Sequence, residues 1–290
     1  MTKRLLSFGH GYSAQALARR LLPLGWTIQG TTRSEDKADK LRDDGVEPLI
    51  FPGEDVSAVL ERATHILISA GPGEEGDPVL NLLRDQIADA APHLEWVGYL
   101  STTGVYGDHQ GGWVDEDTPL TPSTRRGQWR KEAEEAWQSI PGLPLHIFRL
   151  AGIYGPGRGP FSKVRNGTAR RIIKEGQVFS RIHVEDIAQV LHASIDRPNP
   201  GAAYNLCDDD PAPPQDVIAH AAELLGLPVP PAIPFDEAEM TPMARSFYAE
   251  SKRVRNDRIK DELGVQLIFP DYRAGLRALL QAESGDSQDH

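Results

Sequence analysis

The chain has 290 residues, with 42 acidic against 31 basic side chains and a formal net charge of −11. That balance, with no long basic run, excludes nucleic acid as an expected partner, and no apolar run is long enough to span a bilayer. A single cysteine, Cys207, excludes an internal disulfide, and the nine histidines lack metal-ligand spacing, so no metal site is expected.

Read in order, Leu5 to Phe8 is an apolar strand that runs into Gly9-His10-Gly11-Tyr12-Ser13-Ala14. No signal-peptide layout precedes it, so a cytoplasmic location is expected. A helical pattern through Leu21-Leu22 follows, then a second strand from Thr27 to Thr32. Strand, glycine turn, helix and strand in this order make a βαβ unit, and the turn reads G-x-G-x-x-A, the dinucleotide fingerprint. Gly9 allows the tight turn, Gly11 lets the backbone approach a pyrophosphate, and Ala14 lets the helix pack on the strand. The helix N-terminus then offers free N–H groups to phosphate. The backbones of His10, Tyr12 and Ser13 complete the expected cradle.

The end of the second strand separates the two nicotinamide cofactors. An acidic residue there would hold the ribose 2′-hydroxyl of NAD. This chain has Thr31-Thr32-Arg33-Ser34. A guanidinium can fork onto a 2′-phosphate and a serine can donate beside it, so NADP is expected over NAD.

A polar helix from Glu35 to Asp44 and a strand from Val46 to Phe51 come next. Thr64 to Ser69 reads as a strand buried on both faces. It ends in Ser69-Ala70-Gly71, a loop at the carboxyl end of a strand, where open α/β sheets bind ligands. Helices are expected from Pro78 to Ala91 and from Arg125 to Ile140, with Trp129 and Trp137 on the second. Strands are expected at Trp96–Leu100 and Leu145–Leu150. Beyond them lie a basic helical stretch, Arg165 to Lys174, and helices over Val184–Ile195, Gln215–Leu225 and Asp271–Leu280. Pro228 to Pro234 reads as an extended connector. Arg245, Lys252, Arg253, Arg255 and Arg258 form a basic cluster, either a solvated face or an anion site.

Four further segments carry a resemblance to a known family: Ser101-Thr102-Thr103-Gly104-Val105-Tyr106-Gly107, Asp115 to Pro119, Arg149 through Tyr154-Gly155-Pro156-Gly157, and His183 to Ala188. In order and spacing the chain resembles the extended branch of the short-chain dehydrogenase/reductase superfamily, the nucleotide-sugar epimerases and dehydratases. The resemblance implies a Rossmann-type, doubly wound parallel sheet with a smaller C-terminal substrate domain. It implies an NAD(P)-binding domain over residues 1–160 and a substrate domain over 161–282, with return of one strand to the main sheet. The tail, 283–290, is expected to be disordered. Arg149 is implied near the cofactor, Ser101 or Thr102 in the family's Ser/Thr role, and a homodimer through the two long helices.

Two departures mark an atypical member. The fingerprint is one residue shorter between its first two glycines than the extended type. The family also places Tyr and Lys four apart on the helix after the Ser/Thr strand. Here the matching positions carry Arg126 and Arg130, or, shifted by one, Gly127 and Lys131. An arginine stays protonated and cannot transfer the proton. The donor must then come from Ser101, Thr102, Tyr106, Tyr154, His183 or the substrate. The arginines are expected to hold an anion, the carboxylate or phosphate of a substrate such as a nucleotide sugar or part of the cofactor, the alternative being an exposed pair bridging to Glu residues such as Glu134. The reading is therefore an NAD(P)-dependent oxidoreductase or epimerase/dehydratase acting on a small molecule. The alternatives are a non-catalytic NADP-binding sensor and a structural protein that keeps only the fold.

Overall fold

The apolar runs stack side by side as one seven-stranded sheet in the computed structural model, which describes residues 3–286. The order is Ala203–Leu206, Leu145–Leu150, Trp96–Thr102, His65–Ile68, Arg4–Phe8, Thr27–Thr32, Glu47–Ile50, and each neighbouring pair is parallel. After Arg4–Phe8 the chain builds outward to Glu47–Ile50, then returns to place His65–Ile68 on the other side of the first strand. The order reverses there, and a reversal opens a crevice at the carboxyl ends of the two strands.

Strands covered on both faces need apolar side chains on both, and two core layers result. One packs the helices Tyr12–Leu21 and Val184–Asp196 over Leu5, Ile28, Leu67, Trp96 and Phe148. The other packs Leu80–Ala90 and Arg125–Gln138 over Leu6, Phe8, Ile66, Val97 and Tyr99. Asp77 locks the second layer. Its Oδ1 accepts from Val79 N at 2.9 Å and Leu80 N at 3.0 Å, and its Oδ2 accepts from Trp137 Nε1 at 3.1 Å. Trp137 is fully buried, whereas Trp129 is half-buried with the Arg125 guanidinium over its ring.

The second half of the chain supplies the helix Val184–Asp196 and the edge strand Ala203–Leu206 to the main unit. The rest surrounds a smaller core of Tyr154, Phe161, Val164, Ala221, Tyr272 and Leu276. The stretch Arg165 to Lys174 is not one helix. A short helix, Phe161–Arg165, stops before Gly167 at φ +66°, and Arg171–Ile173 pairs as a strand with Ala232–Pro234. The closing helix spans Tyr272–Asp286, so residues 283–286 are helical rather than part of a disordered tail. Residues 287–290 lie outside the described residues. Among the described residues no helix is long and apolar enough to cross a membrane. The basic cluster disperses: Arg245 donates to the Ala238 carbonyl, Lys252 to that of Gly107, and Arg253 to that of Gly111, while Arg255 pairs with Asp257 and Arg258 with Asp117.

Candidate functional site

The fingerprint turn sits at the strand-order reversal. Gly9 has φ +73°, and a Cβ there would stand 2.8 Å from Ala70 N, so a side chain is barred on both counts. The backbone of Gly11 is open by comparison, with Gly9 O at 3.7 Å the nearest atom to a Cβ. Gly11 is also the N-cap of Tyr12–Leu21 and no side chain caps that helix. Its first N–H groups therefore face the crevice, ready for an anion. Gly9 N donates to Thr31 Oγ1 at 2.8 Å and His10 N to the Thr31 carbonyl at 3.0 Å, which ties the turn to the second strand. Ser69 N and Ala70 N both donate to the Phe8 carbonyl, which brings the Ser69–Gly71 loop against the turn. Ser13 is buried beneath. The Tyr12 phenol reaches across to the Pro156 carbonyl at 2.9 Å.

His10 is more than a backbone donor. Its ring is buried and lies over Gly30, and neither ring nitrogen has a hydrogen-bond partner among the described residues. Burial lowers its pKa from 6.5 to about 4, so it is a neutral imidazole.

A cavity of ≈ 610 Å³ opens beside the turn, within the range of small-molecule sites. Gly9, His10, Gly11 and Gly71 form its floor, and Phe51, Pro52, Leu41 and Pro78 offer apolar walls of the kind a base stacks on. Arg33, Lys37 and Lys40 line the same cavity. All three are exposed, and among the described residues none has an ion-pair partner. Ser34 is the N-cap of Glu35–Asp43 and makes no side-chain cap bond, which leaves its hydroxyl available beside them. The sequence pattern pointed to Arg33 and Ser34, and the two lysines escaped it. Their signal was their place on the helix that follows Arg33, three residues apart on one face. The turn, uncapped helix end and apolar wall together fit a nicotinamide dinucleotide.

The strand Trp96–Thr102 and the helix Arg125–Gln138 form the opposite end. Thr124 caps the helix by accepting from Gly127 N at 3.1 Å. A Cβ on Gly127 would lie 2.8 Å from the Gly104 carbonyl and from Pro122 Cβ, so only glycine lets the first turn abut Thr103–Tyr106. Arg130 lies half-buried under Tyr99, donating to the Leu100 carbonyl at 2.6 Å and the Tyr99 phenol at 3.3 Å. Its Nη2 stands 3.3 Å from where a Gly71 Cβ would be, at the cavity's edge. Arg126 is exposed. The two arginines share no partner among the described residues.

Ser101 and Thr102 separate sharply. Ser101 is buried and donates to Glu134 Oε1, a carboxylate that also accepts from Arg149 Nη2 at 2.9 Å. Arg149 donates onward to the Tyr106 phenol at 3.0 Å, and that phenol donates to Asn205 Oδ1 at 2.7 Å. Burial works against the Arg149 charge, but the bonded Glu134 carboxylate overrides it and holds the guanidinium pKa up. Burial also pushes Tyr106 up to about 12. Ser101, Arg149 and Tyr106 are thus joined in a buried network that pins helix to sheet, and Arg149 is not a wall of the cavity. Thr102 is half-buried, and its Oγ1 accepts from Gly104 N at 3.1 Å, which leaves its proton free to donate.

Tyr154 and His183 are not among the residues that line the cavity. Tyr154 packs in the smaller core, its phenol 3.5 Å from the Asp271 carbonyl, and burial raises its pKa. His183 is the N-cap of Val184–Asp196, with Nδ1 accepting from Glu185 N at 3.2 Å and its ring against Tyr154 and Phe269. Both residues hold the second half of the chain together.

No protein-family model matches the chain. The protein YeeZ of Escherichia coli K12 is 29% identical over 287 residues, covering 93% of this chain and 97% of its own. Among solved structures, a functionally unknown conserved protein from Silicibacter pomeroyi is 65% identical with a TM-score of 0.93, covering 98% of this chain and 99% of its own. Two more distant structures share the fold. The human epimerase family protein SDR39U1, with NADPH, is 18% identical at TM-score 0.73, covering 96% of this chain and 99% of its own. The dTDP-glucose 4,6-dehydratase of Bacillus anthracis, in complex with NAD, is 16% identical at TM-score 0.78, covering 99% and 98%. In its sheet order and fingerprint crevice the chain shares the Rossmann-type fold of these epimerase/dehydratase-like structures.

Proposed function

We propose that this protein is an NADP-dependent oxidoreductase or epimerase of the epimerase/dehydratase type that acts on an anionic small molecule without a tyrosine acid. The observation that carries the reading is the trio Arg33, Lys37 and Lys40, without ion-pair partners among the described residues, on one wall of the fingerprint cavity. A dianionic 2′-phosphate supplies what those cations lack, and the ribose of NAD does not. The bound cofactor would supply or accept a hydride. Gly9, Gly11 and the helix end take its pyrophosphate. Arg33, Ser34 and Lys37 take the 2′-phosphate, and the Ser69–Gly71 loop with Arg130 borders its other half. Arg126, exposed on the first helical turn, is assigned to the substrate's anion. Thr102 Oγ1 is the one hydroxyl among the candidate donors left half-exposed, and it would hydrogen-bond the reacting oxygen.

A second reading has its own support. Neither Arg126 nor Gly127, the two candidates for the family's Tyr place, can transfer a proton, and Arg130 is engaged by Leu100 and Tyr99. That pattern suits a non-catalytic NADP-binding regulator. Calorimetric titration with NADP and NAD tests the shared part. NADP should bind tighter, and Arg33→Ala with Lys37→Ala should remove about 1.5–3 kcal/mol from NADP alone. Equal affinity for both cofactors refutes the assignment. Replacing Arg126 and Arg130 with Gln then separates the readings: turnover lost with cofactor binding intact supports the enzyme.

A further inference from the structure

A turn from the far half of the fold crosses the entrance of the fingerprint. It follows the short strand Gly152–Tyr154 and closes on itself, Arg158 N donating to the Gly155 carbonyl at 2.9 Å. Gly155 has φ +150° and Gly157 φ +71°, and a Cβ on Gly155 would stand 2.5 Å from the Tyr12 phenol oxygen and 2.8 Å from Val184 Cγ1. The phenol also donates to the Pro156 carbonyl at 2.9 Å. Backbone and phenol together give the turn a single seat. In that seat the Arg158 guanidinium lies on the Tyr12 ring, with Cζ 4.4 Å from the centroid. Tyr12 is the first residue of the helix whose N-terminal N–H groups face the crevice. Arg158 is exposed, and among the described residues it has no carboxylate partner.

We propose that Arg158 is a phosphate clamp for the dinucleotide, closing on the nicotinamide-side phosphate from across the helix end. The inference rests on the dinucleotide reading above. The helix N–H groups take the pyrophosphate from one side only and leave its outer oxygens to solvent. A guanidinium can fork onto two of those oxygens. Stacking on Tyr12 holds the planar group in place before the ligand arrives, so little ordering remains to be done on binding. The assignment to the nicotinamide side follows from position. Arg33, Lys37 and Lys40 line the adenosine-side cavity, and Arg158 is not among that cavity's walls. Its turn instead follows the strand Leu145–Leu150, on the other side of the order reversal.

The test uses the full chain and two probes, NADP and adenosine 2′,5′-bisphosphate, which lacks the nicotinamide-side phosphate. Calorimetry should show Arg158→Ala weakening NADP by about tenfold or more while the bisphosphate changes less than about twofold. Tyr12→Leu should reproduce that pattern by removing the ring under the guanidinium. The thermal midpoint of the free Arg158→Ala protein should match the wild type, since an exposed residue is replaced. Unchanged NADP affinity, or equal loss for both probes, overturns the clamp and leaves the dinucleotide reading intact. A wild type that binds neither probe overturns both.

Discussion

Gly30→Ala, made alone and with His10→Gly, tests the packing under the fingerprint turn. A Cβ on Gly30 would lie 2.7 Å from His10 Cγ, 2.8 Å from its Cβ and 3.0 Å from Nδ1. Carbon contacts settle near 3.5 Å or beyond, so something must retreat by roughly 0.8 Å. The turn resists, because retreat stretches the bonds from His10 N and Gly9 N to Thr31. Overpacking of this kind costs about 1–3 kcal/mol. Gly30 lies outside the left-handed region, so alanine recovers about 0.5–1 kcal/mol of backbone entropy. The single substitution should therefore destabilise by roughly 0–2.5 kcal/mol in urea unfolding. In the His10→Gly background both the ring and the Cβ that crowd Gly30 are gone, and Gly30→Ala should be neutral or stabilising. The coupling read from the cycle should be about 1–3 kcal/mol. Additivity within about 0.5 kcal/mol would show that the ring does not rest on Gly30.

Acid should unfold the protein early. Burial holds His10, His65, His146 and His183 at about 4, against about 6.5 when unfolded. Protons then favour the unfolded chain, and stability is lost as pH falls from about 6.5 toward 4, by at most about 3 kcal/mol for each imidazole. Asp208, pushed by burial up to about 8, has the opposite sign and offsets only part. A urea midpoint flat between about pH 7 and pH 4.5 would refute this account. Glu134→Ala leaves the Arg149 guanidinium buried and uncompensated, so thermal or urea unfolding should register a loss of about 3–5 kcal/mol. Trp137→Phe leaves Asp77 Oδ2 without its indole donor, and the same assay should read a loss of about 1–3 kcal/mol. No change in either variant would refute the pairing it removes.

The sheet was legible because buried parallel strands announce themselves as continuous apolar runs. Leu145–Leu150 and Thr27–Thr32 match the expected bounds, and the helix Arg125–Gln138 ends two residues short of Ile140. Arg165 to Lys174 misled because its charges were read as a helix face, whereas Asn166-Gly167 is a turn and Ile172-Ile173 a β-branched pair. In the site, local chemistry was readable and pairing at a distance was not. Gly9, Gly11 and Arg33 act through their own backbone or position. That Ser101 is committed to Glu134, 33 residues away, depends on how a helix docks on a strand. Tyr154 and His183 gave the same signal as active-site residues, since a buried phenol or imidazole looks alike in sequence whichever core receives it.

The late arrival of the helix Val184–Asp196 and the strand Ala203–Leu206 has a consequence during synthesis. When Leu145–Leu150 emerges from the ribosome, six of the seven strands are out, but its outer edge is unpaired and the helix Tyr12–Leu21 has no cover. Another 56 residues must follow before Leu206 appears, which at about 5–20 residues per second takes roughly 3–11 s. For that interval the nascent chain presents an open strand edge and an apolar helix face, the two surfaces most prone to capture by another chain. A ribosome stalled far enough past residue 150 to free the sixth strand, but not the helix Val184–Asp196, should hold a protease-sensitive, chaperone-bound intermediate, and one stalled far enough past residue 206 to free the seventh strand should not.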